Sequence, residues 1–445
     1  MSSKRLYLVV AAVALVVHAG ALWNLFALDD RYIILLNPIV RSGAVPHAFA
    51  APYWPPELGG KLYRPLAIAS YAIDRLVDGP RWFHLVNLLW HAAASVAVAV
   101  ITRRLAGAPA ALIAGVLFAV HPVHVEAVAN VVGRAELMAT LFSLLAVYAA
   151  LVRGSVAWCA VALALGILSK ENAAVAPALI VWAWAGGIGR PTRRRALAFV
   201  GSWVVLGGLY LALRWAVLHP YERYRDVALV FVGATPVQIR LTAVAALADI
   251  ARLLIAPITL RADYSPAERT LVTSPLDLRF VAGALCFAVW IGLLLVAWKR
   301  RRSIEAFGLG WIGVAFLPTA NLLLPIGVLI AERTLYLPSV GLAIVCGAAV
   351  RGLPLPRLYL LASVVAVLGG VRTALRVPVW RDDNAVLLSV LQDSPRSYYG
   401  PFGMGVRLQG FHQPEKALAA FRIAIDLEDR NSLMLVAAEI GRAHV

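Results

Sequence analysis

The stretch YLVVAAVALVVHAGALWNLFALDDRY, residues 7–32, decides how the chain is organised. Its first part, residues 7–26, is predominantly apolar and long enough to cross a bilayer core of roughly 30 Å. Two adjacent carboxylates, Asp29 and Asp30, follow at the exit of this run. A charge at the mouth of a span is costly to desolvate, so it has a partner or a task. The pair either caps the span at the water interface or serves catalysis or ion binding, since a carboxylate can accept a hydroxyl proton.

The composition indicates a polytopic membrane protein. Of the 445 residues, 61% are hydrophobic and 15% are charged, whereas a soluble domain is nearer half apolar and about a quarter charged. The net charge of +17 does not indicate nucleic acid, because the basic residues stand in short clusters between apolar runs, which is the positive-inside pattern. The clusters are at 4–5, 103–104, 193–195 and 299–302. The first run is too long for a cleaved signal peptide and is expected to remain as span one.

Alternation of basic clusters and apolar runs predicts about eleven spans, with a cytoplasmic N-terminus and an external C-terminal segment. Spans two and three, about 82–101 and 109–120, are expected to meet at Arg103-Arg104. A first external loop is expected over residues 29–81. The segment 221–278 does not fit simple alternation, so its apolar middle is interpreted as an amphipathic interfacial helix or, alternatively, as a span with a missed partner.

The C-terminal segment, residues 372–445, is expected to be soluble and helical. Its small and aromatic residues match the spacing of a tetratricopeptide repeat, namely Met404, Gly405, Leu408, Ala417, Phe421 and Ala424. At least about three such repeats are needed to bury a core, so the array is expected to be truncated. Residues 439–445 read like a translated sequencing adapter, which leaves open whether they belong to the natural protein.

The unusual polar residues all fall at external ends of spans or in external loops. They are Asp29, Asp30, Arg64, His121, His124, Glu126, Arg134, Lys170, Glu171, Glu332 and Arg333. An active site is therefore expected outside. Since no P-loop or dinucleotide fingerprint stands in a suitable context, a sugar donor would have to be carried across on a lipid.

Several of these residues also have structural interpretations. His121 and His124, with Glu126 nearby, are of the types that bind metals, but Pro122 favours a helix start with interfacial histidines. Glu126 and Arg134 are equally well explained as an ion pair that fixes a loop.

The remaining charged pairs also allow both a structural and a functional interpretation. Lys170 beside Glu171 can pin a tight hairpin, and Glu332 can pair with Arg333. An arginine near the headgroup level also suits a phosphate, because its planar fork binds pairs of oxygens. The aromatic-rich first loop favours an interfacial belt over a sugar-stacking platform.

The motif HPVHVEAV at 121–128, followed by GRAEL at 133–137, resembles the signature of the transmembrane and tetratricopeptide-repeat O-mannosyltransferases. Four other stretches agree in order, namely 29–30, 63–66 with 83–87, 168–171, and 331–339. The resemblance runs over nearly the whole chain. The Ala- and Arg-rich composition suggests a bacterial relative.

The resemblance implies an all-α GT-C glycosyltransferase fold of about eleven transmembrane helices over residues 1–371, followed by a tetratricopeptide segment over 372–445. Family members move a sugar, typically mannose, from a polyprenyl-phosphate carrier to a serine or threonine hydroxyl of a protein. The expected location is the cytoplasmic membrane of a bacterium, with the site and the repeats on the periplasmic face. The short repeat array leaves open how an acceptor is selected.

The resemblance implies a role for one acidic position, and the enzyme hypothesis assigns roles to the other polar residues. An acidic residue in the first external loop maps onto Asp29 and Asp30, one of which is expected to accept the acceptor proton. The donor phosphate is expected at Arg333, Arg64, Arg134 and Lys170. The sugar pocket is expected at His121, His124, Glu126, Glu171, Glu332 and Tyr63. No metal ligand is assigned, and a divalent metal is left open.

Two alternatives differ in class from an enzyme. A lipid-linked-sugar transporter should show inverted repeats and polar residues at mid-span, and the sequence displays no such symmetry. A non-catalytic scaffold would present its repeats to partners and would tolerate loss of the external carboxylates.

Overall fold

The computed structural model describes residues 2–221 and 227–428. Throughout these residues the chain forms helices joined by turns, so the predicted all-α class is confirmed. The expectation about residues 439–445 falls outside the described residues. The α-helices are α1 Ser3–His18, α2 Pro38–Ser42, α3 Pro65–Asp74, α4 Pro80–Ala119, α5 Val125–Ala129, α6 Arg134–Tyr148, α7 Val156–Ser169, α8 Ala176–Ala185, α9 Arg193–Leu218, α10 Pro236–Ile255, α11 Leu278–Lys299, α12 Ser303–Phe316, α13 Pro338–Ala349, α14 Leu355–Arg376, α15 Asp383–Asp393, α16 Tyr399–Gly410 and α17 Pro414–Leu427.

Six helical segments of the described chain are long and apolar enough to cross a membrane. They are Ser3–Trp23, Pro80–Ala119, Val131–Arg153, Arg193–Leu218, Leu278–Lys299 and Leu355–Trp380. Three further apolar helices are shorter, namely Val156–Ser169, Ser303–Thr319 and Pro338–Ala349. The protein is therefore a multi-pass membrane protein, while the number of eleven spans stays a prediction.

The first helix, α1, shows how these segments divide their faces. The side chains of Leu6, Val10 and Ala14 are buried at intervals of four residues and so form one stripe along the helix. Leu8 and Val16 on other faces are 69% and 73% exposed. One stripe of α1 packs on the bundle, and its remaining apolar surface is left for lipid.

The helix α4 is broken by a turn at Gly107, whose φ of 87° only glycine adopts at little cost. Ala99 and Gly115, on either side of the turn, would be about 24 Å apart in a straight helix. A Cβ added to Gly115 would instead lie 3.0 Å from the Cβ of Ala99. The two arms therefore fold back side by side, and the break expected between spans two and three lies just after Arg103-Arg104.

Helices α12 and α13 approach each other through a pair of glycines. A Cβ added to Gly341 would lie 2.4 Å from the carbonyl oxygen of Gly308, and one added to Gly308 would lie 2.7 Å from that of Gly341. Such small residues let two helix backbones come into direct contact within a membrane.

The described residues form two compact units. The first unit contains residues up to 221, 290–316 and 333–381, and the second contains 227–289, 317–332 and 382–428. The predicted division near residue 371 falls within α14, which ends at Arg376. The assignment of a separate segment from 372 onward stays a prediction.

In the second unit, α10 is amphipathic. Its Ile239 and Ala243 are buried, whereas Val237 and Ile255 are 67% and 76% exposed. This helix covers most of the apolar middle of 221–278, and its expected place at the membrane interface stays a prediction.

The last two helices of the second unit, α16 and α17, are joined by residues 411–413 and pack against each other. The fully buried ring of Phe421 fills the space over Gly405, where an added Cβ would lie 2.4 Å from a ring atom. The sequence spacing of Gly405 and Phe421 thus predicts the contact between α16 and α17, while the tetratricopeptide assignment stays a prediction.

Candidate functional site

The polar break after the first span is built on a strained turn. Leu28 has φ of 53°, in the left-handed region that costs a non-glycine residue about 1–3 kcal/mol. The backbone N–H of Asp30 donates to the carbonyl of Ala27 at 3.1 Å. The turn separates the two carboxylates, since Asp30 is fully buried and Asp29 is only half-buried.

The oxygens of the Asp30 carboxylate accept hydrogen bonds from backbone N–H groups. It accepts the N–H of Ala27 at 3.1 Å, that of Val131 at 3.4 Å and that of Val132 at 2.8 Å. Burial raises the pKa of Asp30 to about 7, although these three hydrogen bonds oppose the rise. Asp30 thus ties the first loop to the segment that precedes α6, which is a structural task.

Asp29 lies in a different electrostatic setting. Burial raises the pKa of its carboxyl, the positive charge of Arg333 lowers it, and the negative charge of Glu126 raises it further. The charges of both residues therefore act on Asp29, although they lie far from it in sequence. A half-buried carboxylate with a raised pKa is a stronger base than a free one.

Arg333 and Glu126, whose charges both act on Asp29, form an ion pair. The backbone N–H of Arg333 also donates to Glu126 Oε2 at 2.8 Å. The Glu126 side chain is 4% exposed and that of Arg333 is 36% exposed. The charge of Glu126 is the largest cause of the raised pKa of Arg333. The guanidinium is held firmly on one side and remains accessible on the other.

A second pair joins Arg64, which precedes α3, to Glu171, which precedes α8. Arg64 Nε and Nη2 donate to the two oxygens of Glu171 at 2.9 and 2.5 Å. The guanidinium also stands over the ring of Tyr53, 5.1 Å from its centre. Burial opposes the charge of Glu171, but Arg64 lowers the pKa of Glu171 to about 2. Glu171 is therefore ionised at neutral pH.

The third pair is Lys170 with Glu136, near the end of α7 and the start of α6. Both side chains are nearly buried, at 10% and 2% exposure. Burial lowers the pKa of Lys170, and the charges of Arg64 and Arg333 lower it too, while Glu136 raises it. The charges of both arginines thus act on Lys170.

These ion pairs and electrostatic interactions define one group of acidic and basic side chains in the first unit, which we call the charged cluster. It consists of Asp29, Arg64, Glu126, Glu136, Lys170, Glu171 and Arg333. Six of the seven are expected from the sequence. The cluster has one more carboxylate than cation, so it can take up a proton without acquiring a large net charge.

Arg134, predicted to bind phosphate, is not in this cluster. Its side chain is completely buried and pairs with Asp74. It also donates from Nε to Asn87 Oδ1 at 2.8 Å and from Nη2 to the carbonyl of Phe83 at 2.9 Å. The expected Glu126–Arg134 pair is therefore wrong, because each residue has another partner. Arg134 joins α3, α4 and α6, and we leave it out of the proposed donor site.

The two motif histidines are buried among aromatic rings. His124 Nε2 lies 2.8 Å from Ser339 Oγ, and its ring centre is 4.5 Å from that of Tyr336. His121 Nδ1 accepts the N–H of Val123 at 3.4 Å, as an N-cap of the short helix that begins at Pro122. This agrees with the helix-start interpretation. In the described parts of the chain, no three histidine, cysteine or carboxylate side chains are grouped so that they could hold a metal ion.

Glu332 and Tyr63, expected in the sugar pocket, have structural partners. Glu332 belongs to the second unit, where its Oε1 accepts the N–H of Arg261 at 2.6 Å and the hydroxyl of Tyr264 at 2.9 Å. The expected Glu332–Arg333 pair is replaced by these contacts. The Tyr63 hydroxyl donates to the carbonyl of Phe49 at 2.9 Å, and its side chain is buried.

Sequence reasoning missed Glu136, Tyr53 and Asp74. Glu136 stands in the GRAEL motif within an apolar helix, and an ionisable residue in such a helix is by default a functional candidate. Tyr53 and Asp74 have no local signal, since their importance comes only from the arginines that contact them.

Comparison with known proteins identifies the relationship. Residues 79–215 match the family model of dolichyl-phosphate-mannose-protein mannosyltransferases. The human protein O-mannosyl-transferase TMTC4 is 29% identical over 470 residues, covering 90% of this chain and 63% of its own length. The chain is a relative of the protein O-mannosyltransferases.

Other matches agree with this relationship. The human protein O-mannosyl-transferase TMTC3 is 26% identical, covering 94% of this chain and 51% of its own length. The Drosophila melanogaster protein Tmtc2 is 41% identical over 144 residues, covering 30% of this chain and 15% of its own. The chain thus spans between half and two thirds of the first two relatives. The predicted GT-C class agrees with kinship to the O-mannosyltransferases.

Two solved structures align at low similarity. ArnT from Cupriavidus metallidurans bound to undecaprenyl phosphate aligns with a TM-score of 0.47 at 15% identity, covering 98% of this chain and 77% of that one. The Archaeoglobus fulgidus oligosaccharyltransferase aligns with a TM-score of 0.39 at 14% identity, covering 93% and 58%. At these scores the alignments do not define the site of this O-mannosyltransferase relative.

Proposed function

We propose that the protein is a membrane glycosyltransferase that moves mannose from a polyprenyl-phosphate carrier to a serine or threonine hydroxyl of a protein. The observation that carries this proposal is the position of Asp29. It is a half-buried carboxylate whose pKa is raised by burial and on which the charges of Arg333 and Glu126 act, in a chain related to the O-mannosyltransferases.

Asp29 acts as the general base. The acceptor oxygen attacks the anomeric carbon of the sugar, and Asp29 takes the hydroxyl proton. The bond between that carbon and the phosphate oxygen breaks, so the lipid phosphate leaves with one additional negative charge. Attack opposite the leaving group inverts the configuration at the anomeric carbon. Asp30 is a positioning residue in this scheme, because its oxygens already accept three backbone hydrogen bonds.

The cations of the charged cluster stabilise the leaving phosphate. A preorganised positive group is most effective where charge develops in the transition state. Arg333 is the best placed, since its guanidinium is 36% exposed. Arg64 is held by Glu171, and Lys170 is nearly buried against Glu136. Arg64 and Lys170 therefore stabilise the phosphate chiefly through the electrostatic field of their positive charges. His121, His124 and Glu126 are assigned to the support of the sugar pocket from behind, because all three side chains are buried.

The remaining assignments follow the family. The lipid donor and the external, periplasmic location in a bacterial cytoplasmic membrane are proposed on kinship, as is an acceptor protein held by α16 and α17. The amphipathic α10 would guide the lipid tail at the interface. A divalent metal is not assigned a role.

The decisive experiment incubates purified protein with radiolabelled polyprenyl-phosphate-mannose and membrane proteins, with and without a chelator. Label is expected to appear in protein. Asp29→Asn should reduce transfer about 10²–10⁴-fold, the usual contribution of a general base, while the protein stays folded and inserted. The matched control is Asp78→Asn, because Asp78 belongs to the same predicted loop and its side chain is 62% exposed.

Two results would overturn the proposal. If the unaltered protein labelled no acceptor fraction, the proposed mannose transfer would be contradicted. Transfer at the unaltered rate by Asp29→Asn would contradict the assignment of Asp29 as the general base.

A further inference from the structure

A cavity of about 360 Å³ lies between α6 and α7, away from the charged cluster. Its walls are apolar and aromatic, and they include Phe142, Leu145, Trp158, Val161 and Leu165. Trp158 and Val161 are 65% and 50% exposed, so the cavity is an open groove on the surface of the helix pair. The only charged residue among those that line it is Arg153.

Positive charge is concentrated at one end of this groove. Arg153 ends the π-helical segment Ala149–Arg153 that continues α6, and α7 begins at Val156 after a tight turn. Arg195, near the start of α9, reaches this turn, because its Nη1 lies 3.5 Å from where a Cβ on Gly154 would stand. Arg153 therefore lines one end of the apolar groove and Arg195 lies at the adjoining turn, and both residues are exposed.

The length of the groove corresponds to one leaflet. Phe142 and Arg153 are eleven positions apart, which is a rise of about 16 Å along a helix. The hydrocarbon core of a bilayer is roughly 30 Å thick, so this rise is about half of it. Trp158 lines the groove close to the arginine end, and tryptophan is typical of the headgroup level.

In a bilayer, the arginine end would lie in the leaflet opposite to the charged cluster. Glu136, a member of the cluster, is at the start of α6, and Arg153 is seventeen positions further on. The helical rise between them is about 25 Å, which is most of the bilayer core. The groove is thus separate from the site proposed for sugar transfer.

We propose that this groove binds one acyl chain of a phospholipid with an anionic headgroup, whose phosphate contacts Arg153 and Arg195. Basic pockets between transmembrane helices are a recurring site for anionic headgroups. The groove matches a chain that fills one leaflet, and it is too short for a polyprenol. The inference is independent of the reaction proposed above.

The test compares two lipids that differ only in their headgroup. The full chain is purified in detergent, mixed with dioleoyl phosphatidylglycerol or dioleoyl phosphatidylcholine, and examined by native mass spectrometry for retained lipid. The unaltered protein should retain the anionic lipid roughly tenfold more tightly, since each basic residue near a headgroup contributes to binding. The double variant Arg153→Gln with Arg195→Gln should bind the two lipids equally.

A second part of the experiment fills the groove with a larger side chain. Val161→Trp should reduce retention of both lipids several-fold, whereas Val204→Trp should change neither, because Val204 is a 69% exposed position on α9 outside the groove. Arg104→Gln, at an exposed arginine elsewhere, serves as the control for charge.

Three outcomes would overturn the proposal. They are equal retention of the two lipids by the unaltered protein, unchanged retention in Val161→Trp, and selective displacement of the anionic lipid by polyprenyl phosphate. The last outcome would assign the groove to the carrier lipid.

Discussion

Arg333 is attached to Glu126 twice, through its backbone N–H at 2.8 Å and through its guanidinium. The two residues come from separate motifs, HPVHVE and AERTLYLPS. Because Glu126 is buried and Arg333 is partly exposed, the carboxylate fixes the direction in which the arginine faces. A cation held in this way loses little freedom when it meets a phosphate.

The first prediction concerns this attachment. Glu126→Gln keeps an oxygen for the backbone N–H of Arg333 but removes the charge that holds the guanidinium. Hydrogen bonds to charged groups contribute about 1.5–3 kcal/mol, so kcat/KM for mannose transfer should fall about 10- to 100-fold. The rate should be measured over a range of donor concentrations. Glu57→Gln, at an exposed carboxylate of the predicted first loop, should have no effect, and equal rates for the two variants would contradict the role of Glu126.

The second prediction concerns pH and Asp30. Since its pKa in the folded protein is raised to about 7, the folded state holds the proton more tightly than the unfolded chain does. The stability due to this group is present below about pH 4 and is lost as the pH rises through 7. The midpoint of thermal unfolding in detergent should therefore fall between pH 5 and pH 8.

Asp30→Asn tests this assignment. The variant should lose that part of the pH dependence, and it should be less stable by about 1–3 kcal/mol, because one amide nitrogen would face backbone N–H groups. Asp78→Asn should retain the pH dependence of the unaltered protein. If Asp30→Asn kept the full dependence, another group would be responsible.

The third prediction contrasts two ion pairs at consecutive positions. Asp74 and Arg134 are buried, whereas Arg75 and Asp78 are 39% and 62% exposed. Removing one member of a buried pair costs about 3–5 kcal/mol, because a buried charge is left without its partner. An exposed pair contributes about 0–1 kcal/mol. Asp74→Asn should thus lower the yield of folded protein severely and Arg75→Gln should not, as judged by size-exclusion profiles and unfolding midpoints.

The fourth prediction concerns the contact between α12 and α13. Gly341→Ala would place a methyl group 2.4 Å from a carbonyl oxygen of Gly308, so the helices must separate. Overpacking of this kind costs about 1–3 kcal/mol. Gly292→Ala on α11 is the matched control, since an added Cβ there meets nothing within 4 Å. Equal thermal midpoints for the two variants would show that the contact is not tight.

Sequence reasoning identified which polar residues gather, because alternation of basic clusters and apolar runs assigns the ends of helices to sides. It placed Arg64, Lys170 and Arg333 together, and the structure brings them into one cluster. It did not identify partners. Arg134 pairs with Asp74, sixty positions away, because α3 packs where it does. Pairing of this kind depends on helix packing, for which the local pattern contains no signal.

The turn at Gly107 also decides whether the number of predicted membrane crossings is odd or even. Counted by length alone, Pro80–Ala119 is one crossing, and every later segment would then emerge on the reverse side. If α6 and the shorter α7 each cross once, as predicted, the Arg64–Glu171 pair requires an even number of crossings between its members, and the fold-back in α4 supplies the fourth. In the predicted topology, the side of the membrane on which each later segment emerges therefore depends on one residue that has no side chain.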